Sequence, residues 1–150
     1  MAVLRDQPYG NYNFLVDIGD GNNDGPHAGF CEVILPAAEI EIIEYRTGNA
    51  KESGVTKIPG RQRYDNVILK RGVIGALNLY QWWDAVRNGN LSARRTVTIQ
   101  LLNEDRTDVV MTWKLLRAWP VKYTSPSLNG KGNEVAIETL ELAFERLEIE

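Results

Sequence analysis

Asp20, Asn22, Asp24 and Gly25 follow the D-x-N-x-D-G spacing that opens a helix-flanked calcium loop. Such a loop presents oxygen ligands at alternate positions and closes with a bidentate glutamate at its twelfth residue. Here the twelfth residue is Cys31, and Glu32 falls one place late. The flanking residues alternate as strands do. Residues 19–26 are therefore expected to form a turn in which Asp, Asn and Gly accept φ > 0. Asp20, Asn22 and Asp24 are the metal candidates of the chain, and no cofactor is expected.

His27 and Cys31 are the single histidine and the single cysteine. A thiolate nucleophile needs a base and usually an orienting group in reach, and two such ligands do not make a structural zinc site. The expectation is a turn histidine and a small, buried, apolar cysteine. "SLNGKGNE" at residues 127–134 lacks the G-x-x-x-x-G-K-[ST] pattern of a phosphate loop. Glu134, Glu138 and Glu141 could resemble an acid/base set, but no nearby histidine or polar partner would separate their pKa values. A solvated strip is expected instead. Arg61, Arg63, Lys70, Arg71, Arg94 and Arg95 around Tyr64 could track a phosphate backbone. Acidic residues are as numerous and interspersed, so subunit contacts suit these charges better than nucleic acid. Trp82, Trp83, Trp113 and Trp119 suit core or interface anchors. No set of side chains here assembles a reaction, which disfavours an enzyme.

The elements that would position these residues are mostly strands. Tyr12, Phe14, Val16 and Ile18 alternate with polar neighbours, and a second strand at residues 29–34 would complete a hairpin across the turn. In "EIEIIEYR", residues 39–46, the apolar phase changes from Ile40 and Ile42 to Ile43 and Tyr45. Either both faces are partly covered or a bulge intervenes. Residues 47–60 are polar and glycine-bearing, and predict a long exposed loop of the kind that is usually functional or disordered. "NVILKRG" predicts a strand ending at Gly72. Ala76, Leu79, Tyr80, Trp83 and Val86 recur at helical spacing, with Asn88-Gly89 as a stop. Two strands follow, "TVTIQLL" and "VVMTWKLLRAW", the latter bending at Pro120 and resuming with Val121 and Tyr123. The final segment fits two patterns. Ile137, Leu140, Phe144 and Leu147 make a helical stripe, whereas Val135 and Ile137, then Leu140, Leu142 and Phe144, make two strand runs with a bulge near Glu138 or Thr139.

A chain of 150 residues, 43% hydrophobic and 25% charged, fits one globular domain able to bury a core. Its net charge of -3 argues against coating nucleic acid. No apolar run approaches a membrane span, and the first residues lack the apolar core of a secretory signal. One cysteine excludes an internal disulfide and fits synthesis in a reducing cytoplasm.

Nearly end to end, the chain resembles the tail-tube proteins of contractile phage tails, R-type bacteriocins and extracellular contractile injection systems. The resemblance lies in "PYGNYNFLVDI", "GFCEV", "IEIIEYRTGN", "KIPGRQRYDNVILKRGV", "LYQWWDAVRNG" and the C-terminal "AWPVKY…P.LN..GNEVAIETLELAFE". It implies a mainly β fold with one helix: a split β-barrel of two packed antiparallel sheets flanked by an α-helix, an architecture shared with the type VI secretion tube. It assigns the helix to residues 77–87 and the C-terminal run to β structure. It further implies six-subunit rings stacked into a hollow tube inside a contractile sheath, with baseplate, spike and capping proteins as partners and payload in the lumen. Specific nucleic-acid binding and membrane insertion are not implied. The loop at residues 47–58 would reach the adjacent ring, so Thr47, Asn49, Lys51, Glu52, Val55, Lys57 and Ile58 are candidate contacts. Arg71, Trp119, Glu134 and Glu138 are further candidates, the carboxylates as a strip that could face the lumen. The alternative is a monomeric or dimeric ligand-binding β-barrel, calcium-dependent through residues 20–24.

Overall fold

The computed structural model describes residues 1–20, 25 and 28–150. Asn22, Asp24 and His27 lie outside them, and so do the calcium and histidine–cysteine readings that depend on those residues. Among the described residues the order is β1 (Phe14–Asp17), β2 (Phe30–Ile34), β3 (Ala38–Tyr45), β4 (Thr56–Tyr64), β5 (Val67–Gly72), α1 (Asn78–Arg87), β6 (Arg95–Leu102), β7 (Val109–Thr124), β8 (Ile137–Ala143) and β9 (Arg146–Ile149). All the strand pairs are antiparallel.

The sixteen-residue strand β7 belongs to two sheets. Its first part pairs with β6, itself paired with β1, and on its other side with β9. Its last part pairs with β8, which continues through β5 to β2. The switch falls at Arg117, a non-glycine residue at φ 54. That left-handed conformation costs on the order of 1 kcal/mol. The Glu145 carboxylate grips the corner from outside, accepting from Arg117 and, at 3.0 Å, from Arg94. The bend therefore precedes Pro120, and a register shift between Pro120 and Lys122 completes it.

Period-2 alternation turns one face of each sheet inward. Val16, Val97, Ile99 and Leu115 from one sheet, and Val67, Leu69, Leu140 and Leu142 from the other, are all at most 2% exposed. Leu79 and Trp82 of α1 join that core. The inward helix residue is thus Trp82 and not Trp83, because the stripe is rotated from the one expected. Its indole Nε1 donates to the Ala93 carbonyl at 2.7 Å, which satisfies the buried N–H. Ala76 precedes the helix.

Four other expectations change. β1 and β2 do not form a hairpin; they sit at opposite ends of the strand order. Residues 56–60 are strand, so the polar loop spans only residues 46–55, and β4 went unforeseen because its charged residues mask the alternation. Cys31 is exposed on β2, with its thiol 3.4 Å from the Lys70 carbonyl. Finally, β8 carries no bulge near Glu138 or Thr139. It pairs with β5 in unbroken register from Ile137 to Leu142. Its inward series is Glu138, Leu140 and Leu142, and the break comes after Ala143, before β9.

Candidate assembly surfaces

β3 and β4 pair only with each other and form an arm separate from both main sheets. The arm is rooted by the Asp65 N–H, which donates to the Ala37 carbonyl at 3.1 Å, and by Tyr64 against Phe144 with ring centroids 5.2 Å apart. At its tip, the Arg46 guanidinium donates to the carbonyls of Glu52 and Ala50, each at 3.1 Å, closing the loop that carries Thr47, Asn49, Lys51 and Glu52. A register shift opposite Glu41 places an extra residue on β4 around Gly60 and Arg61. A side chain at Gly60 would meet the Glu41 carbonyl at 2.9 Å, so the bulge requires glycine. Neither alternative read from the sequence holds as stated. The extra residue lies on β4 and leaves β3 regular from Ile42 to Tyr45, and both apolar faces of β3 are exposed, not covered. Ile40, Ile42 and Pro59 share one face, and Ile43, Ile58 and Tyr45 share the other. Ile40 and Ile42 are 63% and 64% exposed. Exposed β-branched side chains on both faces of an isolated ribbon are not what a monomer buries. Apolar exposure of this extent is uncommon on a monomer.

The other expected contact residues divide into two groups. Val55, Lys57 and Ile58 lie exposed on or beside β4, and Glu134 lies exposed ahead of β8. Trp119 is half-buried against a small cavity of about 190 Å³ with Val86, Leu91 and Arg94. Arg71 and Glu138, by contrast, are interior, at 1% and 4% exposure. Glu138 is therefore not part of a solvated strip. Arg71 donates to Glu138 Oε1 from Nε at 2.8 Å and from a terminal nitrogen at 2.5 Å. The other Glu138 oxygen accepts from the Tyr123 hydroxyl at 2.5 Å. Arg71 also donates to Asn78 Oδ1 at 2.7 Å and to the Ala76 carbonyl at 3.3 Å. One guanidinium thus ties β5, β8 and the start of α1 together, and β7 joins through Tyr123. Burial, and then the bond to Glu138, pushes the Tyr123 hydroxyl up to about 12. The sequence held one signal for this network: Glu138 is in phase with Leu140 and Leu142.

The basic residues do not line one groove. Arg61 faces Glu41 at 3.9 Å, Lys70 faces Glu32 at 3.4 Å, Arg95 lies 4.7 Å from the Trp82 ring, and Arg71 is inside. A further clasp, which no sequence pattern marked, closes residues 3–9. Arg5 pairs with Glu104, lies 3.7 Å from the Tyr9 ring centroid, and Tyr9 donates to the Val3 carbonyl at 2.8 Å. The hydrogen bond from Arg5 holds the Glu104 carboxyl down at about 2.

Among the described residues, no cluster of His, Cys, Asp and Glu could hold a metal ion. No helix among them is long and apolar enough to cross a membrane. Polar groups are spent on internal ties, while apolar ones project on an arm. This arrangement defines a structural subunit built for assembly. Residues 10–148 match the model of the T4-like virus tail tube protein gp19 family, and the chain belongs to that family. Among curated protein sequences none matches it.

Solved structures agree. The chain is similar, at 29% identity and a TM-score of 0.82, to a chain in the cryo-EM structure of the anti-feeding prophage cap (AFP tube terminating cap), covering 100% of this chain and 95% of that one. It is 29% identical, with a TM-score of 0.81, to a chain of the PVC sheath-tube complex in its extended state, an extracellular contractile injection system, covering 95% and 91%. Hcp1 from Flavobacterium johnsoniae, at 12% identity, a TM-score of 0.54 and coverage of 91% and 93%, shares the fold. The expected mainly β fold with one helix is thus the observed one, and the protein is a structural tube subunit of the contractile injection type.

Proposed function

We propose that this chain forms six-subunit rings that stack into a hollow, rigid tube, through which payload passes when a surrounding sheath contracts. A similar chain stands in a sheath-tube complex, another in a tube terminator and another in a 6-fold symmetrised baseplate. Sheath, baseplate with spike, and cap are accordingly the partners of this tube. The whole chain acts as one tube domain. It is made in the bacterial cytoplasm and leaves it, if at all, within the assembled particle. Its work is mechanical and involves no bond chemistry, in keeping with a family of structural tube proteins.

The observation that carries this reading is the β3–β4 arm, apolar on both faces and unpaired with the rest of the subunit. A heterologous contact made by such an arm repeats from copy to copy, and generates rings or filaments according to its rotation. The loop tip, with Thr47, Asn49, Lys51 and Glu52, extends the arm to the neighbouring ring, and Val55, Lys57 and Ile58 flank it. Trp119 lies at a lateral contact within the ring, and Glu134 is a further contact between copies. Replacing residues 48–54 by a short turn tests the arm. Circular dichroism should show an intact fold, and negative-stain images should show rings without tubes. Normal tubes from that variant would refute the role.

A further inference from the structure

A heterologous contact needs two different surfaces on one chain, and the arm supplies only one of them. Among the described residues a second exposed apolar cluster stands at the far end of β5, the strand that follows the arm. Val73 and Ile74 follow β5, Leu77 precedes α1 and Val135 precedes β8, with exposures of 44%, 54%, 60% and 75%. Val73 lies beside the start of β8, and Ile74 and Leu77 follow it in the connection to α1. Val73 N–H donates to the Ala136 carbonyl at 2.9 Å, and a side chain on Gly72 would touch Val135 Cγ1 at 3.8 Å. From this geometry we infer that Val73, Ile74, Leu77 and Val135 form the surface on which the β3–β4 arm of a second copy docks. The inference rests on the tube-subunit reading.

Three observations select that occupant. The first is direction. The arm leaves the sheet where β5 begins, at residues 64–67, and the cluster lies where β5 ends, at Gly72. Six residues of strand separate the two ends by about 20 Å. A contact between opposite ends of one strand leaves each copy with a free arm and a free cluster, so it propagates without limit. The second is charge. Lys57 shares the arm face of Ile40, Ile42 and Pro59 with Glu44, which stands opposite it in the ladder, and it makes no ion pair among the described residues. Glu134 borders the cluster beside Val135 and likewise makes none. Lys57 and Glu134 are opposite in sign, while Glu44 beside Lys57 would repel Glu134, so charge fixes on which side of the arm Glu134 must sit.

The third is preparation of the backbone. The cluster rides on a short connection, yet that connection is fastened at both ends. Arg71, itself buried, holds the Ala76 carbonyl and the Asn78 side chain from below, and Val73 is held by Ala136. Gly75, at φ 82, supplies the reversal between them. Apolar side chains on an already ordered connection lose little freedom on binding. The arm is eight residues long, so one face measures roughly 26 by 10 Å, well below the area of a stable two-body interface. A single contact of this size holds weakly, and many of them in a stacked array hold together.

Cysteine pairing tests the inference in the full-length chain, with Cys31→Ser as parent. Ile42→Cys combined with Ile74→Cys should give, on mild oxidation of the concentrated protein, a ladder of disulfide-linked multimers. Ile42→Cys with Leu4→Cys, whose Leu4 is 98% exposed but remote from the cluster, should give none. A ladder from both pairs, or from neither while the parent forms tubes, overturns the docking surface and leaves the tube reading standing. A parent that forms neither rings nor tubes overturns the tube reading and the docking surface with it. A second measurement does not use cysteine. Lys57→Glu should cut the sedimenting fraction at least tenfold, and Glu134→Lys in the same chain should recover most of it. Equal sedimentation of both variants would count against the pairing of those two edges.

Discussion

Truncating Arg71 to methionine should be among the most damaging single changes available in this fold. The substitution roughly preserves volume but removes the positive charge beside Glu138, which is 4% exposed. Two hydrogen bonds to the carboxylate vanish, and Glu138 keeps only the Tyr123 hydroxyl. Breaking a buried pair from one side costs about 3–5 kcal/mol, because a charge is left without compensation. Asn78 and Ala76 are less buried and can turn to water, so they add little. For a chain of 150 residues each kcal/mol shifts Tm by about 2–4 °C, which gives a fall of roughly 6–20 °C. Removing the whole network behaves differently. Arg71→Met with Glu138→Leu eliminates both charges, and Tyr123→Phe removes the hydroxyl that would otherwise lose its acceptor, a loss of about 1–3 kcal/mol. The triple variant should therefore recover most of what the single change loses. Urea unfolding followed by circular dichroism, at one low protein concentration, measures all three steps. The reasoning fails if Arg71→Met costs less than about 1 kcal/mol, or if the triple variant is no more stable than the single one.

Further outcomes follow from the same geometry. Trp82→Ala should cost about 3–5 kcal/mol and Trp82→Phe about 1–3, since the second loses mainly the bond to Ala93, as calorimetry would show. Proline at Thr139 should prevent folding in soluble expression trials, because β8 is paired on both sides there and every N–H of the strand is needed. The ordinary tyrosine value is 10.0 and Tyr123 stands at about 12, so its contribution is complete below pH 10 and is lost as pH rises towards 12. Tyr123→Phe should flatten that alkaline limb in a stability titration. Glu104 is shifted the other way, from 4.5 to about 2, so the Arg5 clasp is intact above pH 4.5 and opens as pH falls towards 2. Amide exchange at Val3 reports the opening.

Sequence reasoning reached the strands with clean alternation and the general place of the helix. β5 and β6 were legible because Val67 and Leu69, and Val97 and Ile99, alternate cleanly with polar or half-buried neighbours, although β5 also turns Arg71 inward. β8 was split between two patterns for one reason: its first inward residue is a carboxylate, so the apolar phase seemed to slip where the backbone does not. The carboxylate is tolerated there only because Arg71, distant in sequence, arrives across the ladder. A stripe rotated by one residue at Trp82 and Trp83 cannot be resolved when both positions carry the same side chain. β4 was hidden because a projecting arm has no buried face, and without burial the period-2 signal has no physical cause. The apolar content of β3 fits an arm whose faces are both exposed in the single subunit, the feature on which the proposed contact between copies rests.

β7 has a consequence for how the subunit bears load. Its sixteen residues cover about 54 Å of backbone contour and, bending at Arg117, run from one sheet into the other. Antiparallel hydrogen bonds run perpendicular to the strands. A force along the first part of β7 therefore loads its bonds to β6 and β9 in parallel, and one along the last part loads those to β8. Within each part they must yield together. A force across it would open them one after another, like a zipper. Because a single covalent chain spans both sheets, tension applied to either is carried by the backbone itself, and the two halves of the barrel cannot separate before β7 is stripped from its neighbours.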